Sequence, residues 1–272
     1  MRAARSGSWY GSWYGSWHDS WHDAWRTMRG VARSLRMYYG DSARRAAMDR
    51  LYGEFVRSGD LVFDIGAHVG DRTACFRRLH ARVVAVEPQP PLVRTLKILY
   101  GRDRAVAIEP VAVGRNPGTL AFNLNPDNPT VSTASEAFRA AAAGAPGWEG
   151  QRWTKRIEVP VTTLDKLVSR HGAAAFIKLD VEGSEADALA GLTRPSPTLS
   201  FEFTTMQREV AAACIARCVE LGYTRYNAVL GESLAFVHQS WVSGDEIAAW
   251  VCALPQHANS GDIYARLREP CA

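Results

Sequence analysis

The sequence predicts an α/β fold built on a doubly wound, mainly parallel sheet. Three stretches carry this prediction: apolar runs that end in a glycine turn at 61–73, in an acid at 82–88, and in several acids at 175–185. Runs that are apolar at successive positions are typical of parallel strands buried on both faces, and helical patterns follow each of them. The 272 residues suit one large domain with an extension.

The first stretch reads LVFDIGAHVGDRT over residues 61–73. Its apolar half predicts a buried strand, and Gly66 and Gly70 bracket the tight turn that follows. Asp71 or Thr73 can cap or charge the first turn of the next helix. Because glycine lets the backbone approach a ligand and a helix N-terminus offers free N–H groups, the stretch predicts a nucleotide-type site.

The spacing of the loop residues selects the ligand. A dinucleotide fingerprint, G-x-G-x-x-G, needs a glycine where His68 stands, and a P-loop needs a lysine where Asp71 follows Gly70. Instead, Asp64 precedes the glycines, and its carboxylate would repel a diphosphate. S-adenosylmethionine carries an ammonium and a sulfonium but no phosphate. We therefore predict a methyl-donor loop, with an ordinary strand-turn-helix as the alternative.

Two further strand ends complete the predicted donor site. The run 82–88 ends at Glu87, which follows the loop at close to the spacing where an acid meets ribose hydroxyls in a βαβ unit. A solvated strand end is the alternative for Glu87. A third strand is predicted over 105–113, and the backbone near Ala112 is expected to lie beside the adenine.

Charged residues crowd the end of the fourth predicted core strand, 175–180. They are Lys178, Asp180, Glu182 and Glu185. Such a cluster can hold the donor amine, deprotonate a hydroxyl or bind a divalent metal. Acids at a helix N-terminus account for Glu185, but not for a lysine and an aspartate inside an apolar strand.

The remaining elements follow from apolar periodicity. Further strands are predicted over 119–124, 157–161, 198–203 and 224–229, with 234–237 as a closing antiparallel edge. Helices are predicted from 90, over 163–170, 206–221 and 247–254, and over 28–59 as a cap above the cofactor end of the sheet. We take 60–268 as the main domain, with an insertion at about 119–160 that is either a substrate lid or a surface loop. The tail 257–266 suggests no chemistry.

Residues 1–27 contain a tetrapeptide repeat with tryptophan at 9, 13, 17, 21 and 25. Its glycines and serines favour a disordered extension. The alternative is an interfacial anchor, because tryptophans followed by Arg26, Arg29, Arg33 and Arg36 suit a membrane surface. Residues 9–36 would then make a weak membrane contact.

Composition narrows the class of protein. The apolar fraction of 47% suits a sizeable core, and a formal charge of +4 with scattered basic residues argues against a dedicated nucleic-acid protein. Among five cysteines there is no C-x-x-C pair, and Cys214 and Cys218 are expected to be buried rather than to bind zinc. The odd cysteine count, with no apolar run of membrane-spanning length and no signal-peptide core, leads us to expect a cytoplasmic protein.

Together these motifs resemble the FkbM family of S-adenosylmethionine-dependent methyltransferases. The matching pieces are VFDIGAHVGDRT at 62–73, VVAVEPQP at 83–90, VTTLD at 161–165 and FIKLDVEGSE at 176–185. The last is the most specific, because D-x-G-x-x-x-G occurs across Rossmann-like methyltransferases. The resemblance covers about 50–265 and leaves the tryptophan repeat unexplained.

The resemblance implies a Rossmann-like class I methyltransferase sheet of seven strands, with the last strand antiparallel, preceded by a helical N-terminal extension. It also implies O-methylation of a hydroxyl on a sugar, glycolipid, polyketide or other secondary metabolite. By matching positions, the donor is held by Asp64, Gly66, Ala67, His68, Gly70 and Glu87, with Ala112 at the adenine, and the transferred methyl lies by Asp180 and Glu182.

Methyl transfer needs alignment of acceptor oxygen, methyl and sulfur, and a base helps a weakly nucleophilic hydroxyl. We predict Asp180 or Glu182 as that base, with His68 as a weaker candidate, and no metal. A metal-assisted variant with Asp180 and Glu202 as ligands is an alternative. The rivals to a methyltransferase are an NAD-linked oxidoreductase and an inactive cofactor-binding module tethered to a membrane by the repeat.

Overall fold

The structure, a computed structural model, describes residues 11–268, with side chains from residue 25 onward. It contains ten strands. They are β1 Leu61–Ile65, β2 Arg82–Val86, β3 Val106–Glu109, β4 Ala112–Val113, β5 Gly118–Leu124, β6 Lys155–Thr162, β7 Phe176–Leu179, β8 Thr198–Thr204, β9 Tyr223–Leu230 and β10 Ser260–Leu267.

Seven of these strands form the main sheet, in the order β3-β2-β1-β7-β8-β10-β9. The pairs from β3 to β8 are all parallel, and β10 runs antiparallel to both β8 and β9. The predicted fold class, a seven-stranded sheet with an antiparallel last strand, is confirmed. Because the carboxyl ends of β1, β2 and β7 meet at one edge, the three motifs read from the sequence converge there.

Helices cover both faces of this sheet. The helices of the described residues are α1 Gly11–Tyr39, α2 Ser42–Tyr52, α3 Asp71–Arg78, α4 Pro90–Tyr100, α5 Glu136–Ala142, α6 Leu164–His171, α7 Glu185–Ala190, α8 Arg208–Glu220 and α9 Gly244–Ala253. The core on one face includes the fully buried Cys214 and Cys218 of α8, as expected for small apolar side chains. Between residues 11 and 268, no helix is both long and apolar enough to cross a membrane.

The N-terminal helices differ from expectation in extent and position. One helix, α1, reaches back to Gly11, into the repeat that we expected to be disordered, and residues 1–10 lie outside the described part of the chain. The end of α1 does lie at the cofactor edge, where Tyr39 Oη donates to the Val69 carbonyl at 3.1 Å. Helix α2 instead buries Met48 and Tyr52 against a face of the sheet.

Two predicted strands were placed wrongly. The run 105–113 is not one strand, because Pro110, which lacks a backbone N–H, separates β3 from β4, and β4 pairs with β6 in a second sheet. The segment 234–237 makes only an isolated bridge between Phe236 and Val229. The antiparallel strand is β10, in the tail to which we gave no role.

The predicted insertion is mostly ordered structure rather than a plain loop. Strand β5 pairs antiparallel with β6, and β4 completes a three-stranded sheet. The segment between β5 and β6 contains α5 and a short turn of 3₁₀ helix, Pro129–Val131. This turn meets α1, where Gly30 approaches Pro129 so closely that a Cβ atom would lie 2.8 Å from its ring. The insertion and α1 therefore form one wall at the cofactor edge.

Candidate active site

A cleft of about 880 Å³, partly open to solvent, lies at the carboxyl ends of β1, β2 and β7. It is lined by most of the residues predicted for the site, namely Asp64, Gly66, Ala67, His68, Glu87, Ala112, Asp180 and Glu182. Gly70 is the exception. The three sequence motifs therefore share one cleft.

Gly66 is where the chain leaves β1, with φ +82°. A Cβ atom there would lie 1.7 Å from the backbone oxygen of Asp180, so no side chain fits. The N–H groups of Gly66 and Ala67 both donate to the Val86 carbonyl at 2.9 Å. Glycine thus allows β1 and β7 to meet at the floor of the cleft.

Gly70 acts behind the cleft rather than in it. It is the N-cap of α3, with φ +81°, and a Cβ atom would lie 2.7 Å from the Tyr100 ring and 2.8 Å from Leu96. The second loop glycine therefore serves the packing of α3 against α4. We did not foresee this division of roles from the spacing alone.

Asp64 is a buried carboxylate at the end of β1, only 1% exposed. It accepts a hydrogen bond from Thr73 Oγ1 at 2.6 Å, so Thr73 secures this acid instead of capping α3. Burial raises the pKa of Asp64 to about 6, and the Thr73 hydrogen bond opposes that rise. A buried carboxylate of this kind gains from a cation in the cleft, which fits the positively charged donor.

Glu87 is 2% exposed and is not a solvated strand end. Its Oε2 accepts from the His68 N–H at 2.9 Å and its Oε1 from the Gln89 N–H at 2.8 Å. Each oxygen keeps a further lone pair, so two more hydroxyl donors can be satisfied. Burial raises the pKa of Glu87 to about 8. This geometry fits the two hydroxyls of a ribose.

His68 lies in the wall of the cleft, between α1 and the insertion. Its ring meets the Tyr38 ring edge-on at 5.9 Å, and its Nε2 lies 3.4 Å from Thr130 Oγ1. Burial lowers the pKa of His68, so the imidazole stays neutral at neutral pH. Its backbone N–H holds Glu87, so the residue's main contribution is structural support of the donor site.

A cluster of acids lies near the ends of β7 and β8, and two of its members, Asp180 and Glu182, line the cleft. Asp180, Glu182 and Glu202 bring carboxylate oxygens within 4.8 Å of one another, the only such group of three that could hold a metal ion among the described residues. The buried ammonium of Lys178 donates to Asp180 Oδ2 at 2.7 Å. These contacts bring together the residues predicted to act on the acceptor.

The acids of this cluster differ in protonation. Burial works against a charged Asp180, but the Lys178 ammonium outweighs it and holds the Asp180 pKa below its ordinary value. Burial, together with the charge of Asp180, raises the pKa values of Glu182 and Glu202 well above the ordinary range. The charged carboxylate of Asp180 therefore lies beside two acids, Glu182 and Glu202, that favour the protonated form.

The loop that carries Glu182 is braced from both sides. Glu182 has φ +54°, and its carbonyl accepts from Thr133 Oγ1 of the insertion at 2.6 Å. Glu185 accepts from the N–H groups of Val181 at 2.9 Å and Gly183 at 3.0 Å. Glu185 is thus a support at a helix N-terminus, as its sequence position suggested.

Sequence reasoning missed several contributors to the cleft. Tyr38 of α1 lines it, as do Arg72 and Glu232, which pair with each other at 3.3 Å. Asp262 of β10 lies 3.6 Å from the Lys178 ammonium. The stretch GDIYAR at 261–266 is similar to the family, but Asp262 was not predicted as a site residue, because its position depends on the register of a strand that we did not predict.

Comparison with known proteins supplies the family. The model of the family described as "Methyltransferase FkbM domain" matches residues 64–248. The curated 31-O-demethyl-FK506 methyltransferase FkbM of Streptomyces tacrolimicus is 28% identical over 169 residues, covering 53% of this chain and 65% of that protein. The match thus spans less than two thirds of that relative.

Two solved methyltransferase structures are distantly similar to this chain. The TehB-like S-adenosylmethionine-dependent methyltransferase of Corynebacterium glutamicum has 10% identity, coverage of 93% of this chain and 100% of that chain, and a TM-score of 0.43. The O-methyltransferase of Bacillus cereus, solved with S-adenosylhomocysteine, has 10% identity, coverage of 88% and 90%, and a TM-score of 0.44. Family membership does not rest on these distant likenesses.

The strand order, the donor loop and the acid after β2 are those of the class I S-adenosylmethionine-dependent methyltransferase fold. Because the family match covers more than half of the chain, the protein belongs to the FkbM methyltransferase family. The predicted family and cofactor are confirmed. An NAD-linked oxidoreductase, the rival on a related fold, is thereby set aside.

Proposed function

We propose that the protein is an O-methyltransferase acting on a hydroxyl of a sugar, glycolipid, polyketide or other secondary metabolite. The observation that carries the proposal is the acid cluster of Asp180, Glu182 and Glu202, because Asp180 and Glu182 line the same cleft as the donor loop. A hydroxyl needs a proton acceptor as it is methylated, and this cluster supplies one. The printed name of the Streptomyces relative, a 31-O-demethyl-FK506 methyltransferase, also supports transfer to oxygen.

S-adenosylmethionine supplies an activated methyl group, which passes from sulfur to the acceptor oxygen while the C–S electron pair stays on sulfur. The chain's own residues align the reactants and receive the hydroxyl proton. Asp180 stays charged because of Lys178, and it favours the cationic donor. Glu182 has the raised pKa, so once ionised it is the stronger base, and a bound cation promotes that ionisation.

Asp180→Asn is expected to lower turnover about 100-fold or more while S-adenosylhomocysteine binds within about threefold of wild type. The reason is that the amide removes the fixed charge next to the reacting centre but keeps the shape of the floor. S-adenosylhomocysteine release with a panel of hydroxylated acceptors measures turnover, and calorimetry measures binding.

The matched control for this variant is Asp187→Asn. Asp187 has a side chain that is 68% exposed and paired with Arg115 outside the cleft. Normal turnover by the Asp180 variant would show that the role assigned to this acid is wrong.

We also propose a weak contact between residues 9–36 and a membrane surface. Two described side chains of α1 support it: Trp25 is 58% and Met28 is 69% exposed. The Arg29 guanidinium lies 4.7 Å from the centre of the Trp25 ring, so cationic and aromatic groups share one exposed stretch. Such a pairing suits anionic headgroups.

Flotation with vesicles that contain anionic lipid tests this contact. A double variant, Trp25→Ser with Met28→Ser, is expected to lower the floated fraction several-fold, because it removes the exposed apolar groups. Ile98→Ser is the control, since Ile98 is 83% exposed on α4. Equal flotation of the double variant and wild type would exclude a contact through these side chains.

A further inference from the structure

We propose that Asp262 of β10 is a positioning residue that, through Lys178, keeps the floor of the cleft negatively charged and so favours the cationic donor over its product. S-adenosylhomocysteine lacks the sulfonium charge of S-adenosylmethionine. The inference rests on the proposed function in one respect, the placement of Asp180 beside the transferred methyl. It assigns roles to Lys178 and Asp262, which neither touch the acceptor nor belong to the donor loop.

Lys178 and Asp262 lie on strands β7 and β10, which are separated by β8, and their side chains meet above β8. Lys178 on β7 pairs in register with Ser200 on β8, and Asp262 on β10 pairs with Glu202, two residues further along β8. Residues two apart on a strand share a face, so all these side chains lie on one side of the sheet. The small side chain of Ser200 leaves room for Lys178 to approach Asp262.

The contacts are unequal, and this difference separates their roles. Lys178 is 1% exposed and lies 2.7 Å from Asp180 Oδ2 but 3.6 Å from Asp262 Oδ1. The first contact fixes the Asp180 carboxylate at the floor. The second is a charge contact with a residue that is itself only 9% exposed.

The role of Asp262 follows from the net charge of three side chains, Lys178, Asp180 and Asp262. Lys178 with Asp180 alone would be a neutral pair, since the two side chains lie 2.7 Å apart and carry opposite charges. A floor of that kind would offer little to a sulfonium. Burial raises the pKa of Asp262, and the Lys178 ammonium opposes that rise. With Asp262 ionised, two carboxylates share one ammonium, and a charge of −1 remains.

The other groups around Lys178 do not cancel this net charge of −1. Tyr52 of α2 and Arg72 of α3 are the other groups that act on Lys178. Tyr52 is neutral, and the Arg72 guanidinium is already paired with Asp71 at 2.5 Å and with Glu232 at 3.3 Å. Burial weakens screening by water and salt, so the remaining charge acts over the short distance to the cleft.

Asp262→Asn tests the proposal without any acceptor. The affinities of S-adenosylmethionine and S-adenosylhomocysteine are measured by calorimetry on the full chain at mildly alkaline pH. We expect the variant to bind S-adenosylmethionine about tenfold more weakly, as one buried charge at this range predicts, and S-adenosylhomocysteine within roughly twofold of wild type. Asp187→Asn removes the same charge at the surface and should change neither affinity.

A merely structural role for Asp262 predicts a different result, because a distorted floor weakens both ligands alike. Equal losses, or no loss, would overturn the proposal. If Asp262→Asn fails to fold, Asp262→Glu gives a second test. This variant keeps the carboxylate, so the preference for S-adenosylmethionine over S-adenosylhomocysteine should stay close to that of wild type, and a reduced preference would overturn the proposal. Failure of the proposed function would instead appear as wild-type protein that binds the donor but methylates no hydroxyl.

Discussion

Gly66→Ala is expected to abolish donor binding and to destabilise the protein by about 3 kcal/mol or more. The new methyl group would lie 1.7 Å from the Asp180 backbone oxygen, so the end of β1 or of β7 must move. Asp64 lies two residues before Gly66, and the added methyl group would overlap the backbone of Asp180. Any such movement therefore displaces Asp64 or Asp180, which both line the cleft. Calorimetry with S-adenosylhomocysteine and urea denaturation measure the two effects.

Gly59→Ala is the matched control for the backbone conformation. Gly59 has φ +86°, nearly the same as the +82° of Gly66, but no atom lies within 4 Å of a Cβ placed there. Its substitution therefore carries only the cost of alanine in the left-handed region, about 1–2 kcal/mol, and should leave binding intact. Similar binding by the two variants would mean that the approach of Asp180 to Gly66 is not needed for the site.

The sequence predicts the donor edge well because its signals are local. An apolar run followed by glycine or an acid marks a strand end, and parallel strands bring such ends together whatever the rest of the chain does. Strands β1 and β2 lie within the predicted runs, and Asp64, Gly66 and Glu87 all reach the cleft.

The parts that escaped prediction depend on contacts between distant segments. Asp262 meets Lys178 only because β10 inserts between β8 and β9, and its tail sequence contains glycine and charged residues that hide the strand. The role of Gly70 likewise depends on how closely α4 packs behind the loop. The Asp262–Lys178 contact and the role of Gly70 depend on tertiary packing, which cannot be predicted from local sequence patterns.

Glu87→Ala is expected to weaken S-adenosylhomocysteine binding about 100-fold or more, because two hydroxyl hydrogen bonds to a carboxylate are lost and each contributes about 1.5–3 kcal/mol. The substitution also leaves the His68 and Gln89 N–H groups without their acceptor. Calorimetry gives the loss directly. Glu109→Ala is the control, since Glu109 also ends a strand, β3, but binds Arg170 and His171 instead. Unchanged affinity in the Glu87 variant would exclude the proposed ribose contact.

The pH dependence of binding separates the charge of Glu87 from its shape. The pKa of Glu87 in the free protein is about 8, and hydroxyl donors favour the ionised form, so binding lowers this pKa and releases a proton. Affinity for S-adenosylhomocysteine should therefore rise with pH up to about 8 and then level off. In Glu87→Ala this rise should disappear, while a rise near pH 6 from Asp64, whose pKa is about 6, should remain because the ligand keeps its ammonium. Loss of both rises would mean that the variant has disturbed the whole donor loop, and persistence of the upper rise would assign that proton to another group.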